Sequence, residues 1–246
     1  MFRGFQKIGD KIVYVKSEMF TGYFKPFNAS AENYTGIPRP NGWWSAESVI
    51  KDSLNRVSQI NDLSGSNYHM QQNTLLKQPT LVENAINGQS VLNFDGVDDW
   101  IRVLFGQSFN QPNYYFIVYN STASGSANKI IFDGSDSNRN YLLSNGEQIS
   151  AYAGVGVNYT KSSPFDYILN SILFDGVRSS VFENGFFKST GNAGTQYVNG
   201  IMLGANYSGI ANHKGGIAEI IFYSGRVLES YEVNNINNYL IQKYAL

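Results

Sequence analysis

From residue 43 to residue 223 the apolar positions come in short runs of five to nine, rich in β-branched and aromatic residues. Gly, Asn, Asp or Pro bounds each run, and turn signals recur about every 8 to 12 residues, the rhythm of an all-β domain. Strands are predicted near 56–61, 90–94, 99–104, 113–119, 129–133, 140–144, 148–153, 166–174, 178–184, 199–203 and 216–223. After Gly225 the period changes. Leu228, Tyr231, Ile236, Tyr239, Leu240 and Tyr244 fall near the three- and four-residue spacing of one helix face. The chain therefore reads as strands closed by a single C-terminal amphipathic helix. The apolar face of that helix is expected to lie across the sheet edge beside the N-terminal region. Its outer face, Asn234, Asn235, Asn237 and Asn238, carries no charge and suits either solvent or a neighbouring molecule.

The turns carry their own signals. Asn87-Gly88, Asn145-Gly146, Asn184-Gly185 and Asn199-Gly200 supply the positive φ of tight hairpins. Phe-Asp-Gly recurs at 94, 132 and 174, each time after an apolar run, and reads as one inward aromatic followed by a turn. Residues 1–40 stand apart from this pattern. Lys11 to Lys16 alternates like a strand, an aromatic group follows (Phe20, Tyr23, Phe24, Phe27), and Pro38 and Pro40 lead into Asn41-Gly42. Two readings of 1–40 stay open: a docking arm, or an extra strand and loop on the domain formed by 41–246.

Composition narrows the chemistry. The 246 residues include no cysteine, which removes disulfides, thiolate nucleophiles and cysteine-bound zinc. Net charge is -1, with no basic cluster, so a nucleic-acid partner is not expected. No run approaches the roughly 20 apolar residues of a membrane helix. Only 15% of residues are charged, and polarity rests on Asn, Gly, Ser and Tyr, a mixture that suits turns and sugar contacts. No export signal is legible behind Met1. The corresponding expectation is a cytoplasmically made virion protein, released by lysis.

Catalytic motifs are missing: no Gly-x-Ser-x-Gly, no His-Glu-x-x-His, no phosphate-binding loop, and only His69 and His213 as imidazole bases. A glycosidase of related fold would place paired acids on one strand as Glu-x-Asp-x-x-Glu, and no such triplet occurs. The densest acids, Asp95, Asp98 and Asp99, read first as a turn and second as a metal or catalytic group. Asp136, Asn138, Asn140, Ser144 and Glu147 have the oxygen spacing of a calcium loop, though Tyr141 stands where such a loop needs glycine. Calcium is the only cofactor this pattern suggests. Aromatic residues reach 15%. Tyr152, Tyr159 and Tyr207, in Gly/Asn-rich segments, are the candidates for a sugar-facing rim. Adjacent Trp43 and Trp44 must point to opposite faces of a strand, and Trp100 is a further interface candidate.

Five segments in order carry a resemblance. "GWWSAESV" with "VSQINDLSGSNYHMQQ", "INGQSVLNFDGVDDWIRV", "SSVFENGFFKST", "NGIMLGAN" and "GGIAEIIFYSGRVLESYEVNNINNYLIQKYAL" together resemble the laminin-G-like, concanavalin A-like jelly-roll domains of phage structural and bacterial surface proteins. The resemblance covers roughly 41–246. It implies a two-sheet antiparallel jelly-roll sandwich with one C-terminal helix. The function expected with it is a non-enzymatic phage virion surface protein, serving in decoration or attachment through a lectin-like domain. The alternative is a bacterial surface or secreted carbohydrate-binding module, and a glycan-cleaving enzyme ranks third. Other virion proteins, reached through residues 1–40, are the expected partners, with a glycan and a second copy of the chain as further candidates.

Overall fold

The computed structural model describes residues 4–8, 11–15, 36–122, 127–163 and 165–246. The N-terminal strands β1 (Gly4–Ile8) and β2 (Lys11–Val15) form a hairpin. Then come β3 (Gly42–Lys51), β4 (Val57–Asp62), β5 (Met70–Gln71), β6 (Thr80–Ile86), β7 (Gln89–Asp95), β8 (Ile101–Phe109) and β9 (Asn113–Tyr119). They are followed by β10 (Lys129–Gly134), β11 (Tyr141–Asn145), β12 (Gln148–Tyr152), β13 (Gly156–Thr160), β14 (Ile168–Phe174), β15 (Ser179–Glu183) and β16 (Phe186–Gly191). β17 (Val198–Leu203), β18 (Lys214–Ser224) and the helix α1 (Ser230–Tyr244) complete the chain.

Strands β3 to β18 share one continuous antiparallel sheet, ordered β13-β12-β11-β10-β17-β8-β5-β4-β3-β18-β9-β14-β15-β16, with β7 paired to β18 and β6 paired to β7. The sheet wraps around a core until its ends, β13 and β16, meet at Val157 and Gly191. It is a nearly closed, barrel-like all-β body. Strand alternation sends Trp44, Ile60, Ile101, Tyr115, Leu142, Ala151, Ile201 and Phe222 inward. All three Phe-Asp-Gly aromatics, Phe94, Phe132 and Phe174, are buried in that core as the pattern predicts.

The outer surface has two contrasting parts. On β3, β9, β14 and β18, Trp43, Phe116, Leu169 and Ile221 point outward and are covered by Ile236, Tyr239, Leu240 and Tyr244 of α1. This is why β9 is buried along its whole length. The helix thus lies on the broad face of the sheet, not across its edge. Trp43 packs edge-on against Tyr239 at 5.9 Å, so its cover is the C-terminal helix. Beneath α1 sits Glu219, buried, whose carboxylate accepts from Trp43 Nε1 (2.6 Å), Tyr239 Oη (3.1 Å), Lys243 Nζ (2.6 Å) and Tyr244 Oη (2.6 Å). Two positions depart from the expected helix faces. Tyr231 is exposed, and Asn237 is buried, accepting from Ser171 Oγ. Glu229 and Glu232 close a capping box at the helix start, and Arg226 grips Glu232 through two nitrogens.

Residues 36–41 run along this same face. Asn235 Nδ2 donates to the Gly36 carbonyl, Tyr223 Oη to the Pro38 carbonyl, and the Asn41 amide to the Phe222 carbonyl. The aromatic part of the docking-arm expectation, Phe20 to Phe27, lies outside the described residues. Asn87-Gly88 and Asn184-Gly185 turn with positive φ at both residues. Asn199-Gly200 does not turn; it lies inside β17, where a Cβ on Gly200 would collide with the Val103 carbonyl and the Ser135 side chain. Among the described residues, no helix is long and apolar enough to cross a membrane.

Candidate functional site

Among the described residues, no helix covers the outer face opposite α1. Its geometry follows from register. Arg102 on β8 pairs with Met202 on β17, and Met202 pairs with Asp133 on β10. On the next strands Tyr141 pairs with Tyr152. Each of these alternates with a core residue, so all share the outward face.

Asp133 organises this face. It is fully buried, and its carboxylate accepts from Gly134 N (2.8 Å), Tyr207 N (3.0 Å) and Arg139 Nη1 (2.9 Å). Burial pushes the Asp133 carboxyl up to about 6, against the pull of Arg139 and the two amides. The Arg139 guanidinium, so tethered, lies 4.8 Å from the Tyr207 ring centre, 4.9 Å from Tyr141 and 6.0 Å from Tyr152. The Tyr141 and Tyr152 rings stack at 4.5 Å with planes 9° apart. Desolvation holds the Tyr141 hydroxyl above its ordinary range.

Two short loops frame the cluster. Asn206 closes one: its amide donates to the Ile210 carbonyl, and its Oδ1 accepts from the Ser208 and Ile210 amides. That turn presents Tyr207, 38% exposed. Asp136 orders the other by accepting from the Asn138 amide (2.8 Å) and from Asn199 Nδ2. Tyr152 and Tyr207, both expected at a sugar-facing rim, thus stand on either side of one arginine. Tyr159 does not join them. It points inward, only 7% exposed, and its hydroxyl accepts from Asn170 Nδ2 at 2.7 Å. Arg139 and Tyr141 carry no local sequence signal, because the register that gathers them is long-range. The second Phe-Asp-Gly was the available signal: its aspartate is the anchor rather than a solvated turn residue.

The calcium pattern does not assemble. Asn140 is buried, accepting from Tyr115 Oη and donating to the Gln196 carbonyl. Strand β11 separates it from Glu147, and five extended residues span about 17 Å. Asp136, Asn138, Asn140 and Glu147 therefore cannot share one ion.

Asp95, Asp98 and Asp99 do converge, with ligand atoms within 4.8 Å of one another. Their bonds are those of a turn: Asp95 Oδ1 accepts from Val97 N (2.8 Å), and Asp99 Oδ2 from Asp95 N (3.0 Å). Burial, with help from the two neighbouring acids, pushes Asp99 up to about 6.

Two carboxylates line one further groove, of about 560 Å³, near the end of α1: Glu183 and Asp166. Glu183 pairs with Lys188 (3.1 Å) and accepts from Ser162 N (3.1 Å). Desolvation works against its charge, yet these partners hold its carboxyl below the ordinary range, ionised and unsuited to donate a proton. Asp166 accepts from Ser163 Oγ at 2.6 Å. Neither histidine is placed as a base. His69 Nδ1 accepts from Asp62 N, and His213 is fully buried, both its nitrogens lacking a well-aligned hydrogen bond.

No family model and no curated protein matches the chain. Solved structures do. The chain is similar to Trypanosoma rangeli sialidase, at TM-score 0.57 and 11% identity over 88% of this chain and 36% of that one. It is similar to domain 4 of AbnA, a GH43 extracellular arabinanase from Geobacillus stearothermophilus solved with arabinotriose, at TM-score 0.56 and 14% identity, over 80% of this chain and 98% of that one. HCR/D, solved as HCR/D-Sa-GBL1/C, matches at TM-score 0.54 and 15% identity, over 79% and 52%. The chain spans about a third of the sialidase. At such identities the likeness is one of fold alone.

Proposed function

We propose that this chain is a non-enzymatic, lectin-like carbohydrate-binding domain of the two-sheet jelly-roll type, displayed on a phage virion. The observation that carries the binding reading is the Asp133-tethered Arg139 among Tyr141, Tyr152 and Tyr207. Stacked aromatic rings offer apolar faces to a pyranose or furanose ring, and the polar rim offers hydrogen bonds to hydroxyls. Because Asp133 and Asp136 offset Arg139, the cluster favours an uncharged sugar.

The absence of catalysis is supported by the engaged state of Glu183, Asp166 and His69, and by the burial of His213. The virion setting rests on the sequence resemblance, and residues 1–40 are its proposed contact with other virion proteins. A secreted bacterial module is the second reading. It is favoured by the match to an appended arabinanase domain over nearly that domain's whole length.

A neutral-glycan microarray probed with the wild-type chain and with Tyr152→Ala tests the reading. Binding that the substitution abolishes, with the glycan intact afterwards, supports it. An array without signal overturns the binding assignment, and released sugar overturns the non-enzymatic one. Mass spectrometry of purified virions decides the setting.

A further inference from the structure

Resting on the carbohydrate reading, we infer that the site is an extended groove-like strip for a neutral oligosaccharide chain, not a pocket for one terminal sugar, with Trp100 as its second platform.

The strip continues past Tyr207 in the direction of β8. Ile101 is buried in the core, so the residues flanking it, Trp100 and Arg102, face outward together. The Arg102 guanidinium lies 5.3 Å from the Trp100 ring centre. The loop that presents Tyr207 abuts this pair: a Cβ on Gly209 would lie 3.7 Å from Trp100 Nε1. Among the described residues the Trp100 indole N–H has no hydrogen-bond acceptor, although the ring is only half-buried. Aromatic and arginine therefore alternate across the strands, from Trp100 and Arg102 through Tyr207 and Arg139 to Tyr141 and Tyr152.

Length and charge identify the occupant. From β8 to β12 the strip crosses β17, β10 and β11, four gaps of about 4.8 Å, or roughly 19 Å. That is the reach of several linked sugars. Asp133 pairs with Arg139, and Arg102 and Asp136 add one charge of each sign, so the strip has no net charge to recruit an acidic chain or a phosphate backbone. Three aromatic stations, Trp100, Tyr207 and the stacked Tyr141–Tyr152 pair, offer a repeating ligand repeated apolar contact. A monosaccharide could use only one end.

The test is calorimetric titration of the full chain with arabino-, malto- and cello-oligosaccharides of one to six units. Affinity for the series that binds is expected to climb about tenfold or more between the dimer and the longest members. Trp100→Ala should lower affinity for the hexamer about tenfold, towards that of the dimer. Arg102→Ala, at an exposed position, should lower it in the same direction, which separates a lost contact from misfolding. Affinity independent of length, or hexamer binding untouched by both substitutions, would overturn the extended strip. If Tyr152→Ala still abolishes binding in that case, the carbohydrate reading survives. If no member of any series binds and the glycan array is also silent, the carbohydrate reading itself falls.

Discussion

Two faces of one sheet solve the same problem differently. Each buries a carboxylate on its outer side, and each uses that carboxylate to hold a covering element. Under the helix, Glu219 gathers four side-chain donors, three of them from α1, beside the apolar residues that the helix covers. On the opposite face, Asp133 gathers two backbone amides and one arginine whose side chain stays partly in water. The first arrangement seals a surface; the second holds a small platform of rings in place and leaves it wet. The contrast separates what keeps this domain folded from what it can offer a ligand.

The largest effect is expected on the sealed side. Glu219→Ala removes the acceptor shared by Trp43, Tyr239, Lys243 and Tyr244 and leaves the Lys243 ammonium without its counter-ion over apolar surface. Breaking one partner of such a buried network costs about 3–5 kcal/mol. Against the 5–15 kcal/mol typical of a domain, that brings the fold near its limit. Equilibrium urea denaturation followed by tryptophan fluorescence measures the loss. A loss under about 1 kcal/mol would mean that apolar packing alone holds α1, and the parallel between the faces would break.

A middle-sized effect depends on pH. Burial depresses His213 to about 3, below the 6.5 of a free imidazole side chain. The sign follows: between those values the unfolded chain binds a proton that the fold refuses, so stability falls as pH drops below about 6.5. At pH 5 the loss from this group alone is about 2 kcal/mol, at roughly 1.4 kcal/mol per pH unit. Asp133 and Asp99 act in the opposite sense. Their folded values near 6 lie above the 3.8 of a free aspartate, so the fold binds their protons first and gains stability as pH falls from 6 towards 4. His213→Phe should therefore leave the wild-type-to-variant difference constant above pH 7 and shift it by about 2 kcal/mol in the variant's favour at pH 5. Denaturation midpoints across pH 5 to 8 decide it. Parallel curves would show that the His213 proton is not refused.

Legibility follows the same division. The helix, most of the strands and the inward Phe-Asp-Gly aromatics were readable because each is a local pattern. Trp43 and Trp44 were separable to opposite faces by alternation alone. Strands β1, β5, β6 and β13 lie outside the predicted ranges: β5 is only two residues long, Glu83 and Asn84 interrupt β6, and β13 is Gly156-Val-Asn-Tyr-Thr, with only two inward apolar residues. Tyr159 was misplaced because a tyrosine in that polar segment looks like a rim residue until the pairing of β12 with β13 turns it inward. The platform itself was half-visible. Tyr152 and Tyr207 carry a local signal in their Gly/Asn-rich segments, but what joins them is Arg139 held by Asp133, a contact that only register creates. The calcium spacing failed for the converse reason: oxygens regular in sequence are spread along an extended strand.

The smallest effect on stability is expected at the second carboxylate, and it sharpens the comparison most. The rise of Asp133 to about 6 says that its burial costs more than Arg139 and two amides return. Relative to the unfolded chain, the fold thus disfavours the charged form against the neutral acid by about 3 kcal/mol, although the group is still ionised at pH 7. Asp133→Asn keeps the shape, removes that charge and lets a partly exposed Arg139 return to water. The two changes oppose, and the net change in unfolding free energy should be within about 1 kcal/mol. The consequence should appear locally instead. The Tyr207 amide loses a charged acceptor, and its hydrogen exchange should accelerate about tenfold, while amides of β18 under the helix keep wild-type protection. Global destabilisation comparable to Glu219→Ala would show Asp133 to be a second structural anchor. Unchanged exchange at Tyr207 would show that the loop holds its ring through the Asn206 turn alone, and that Arg139 is not what orders the platform.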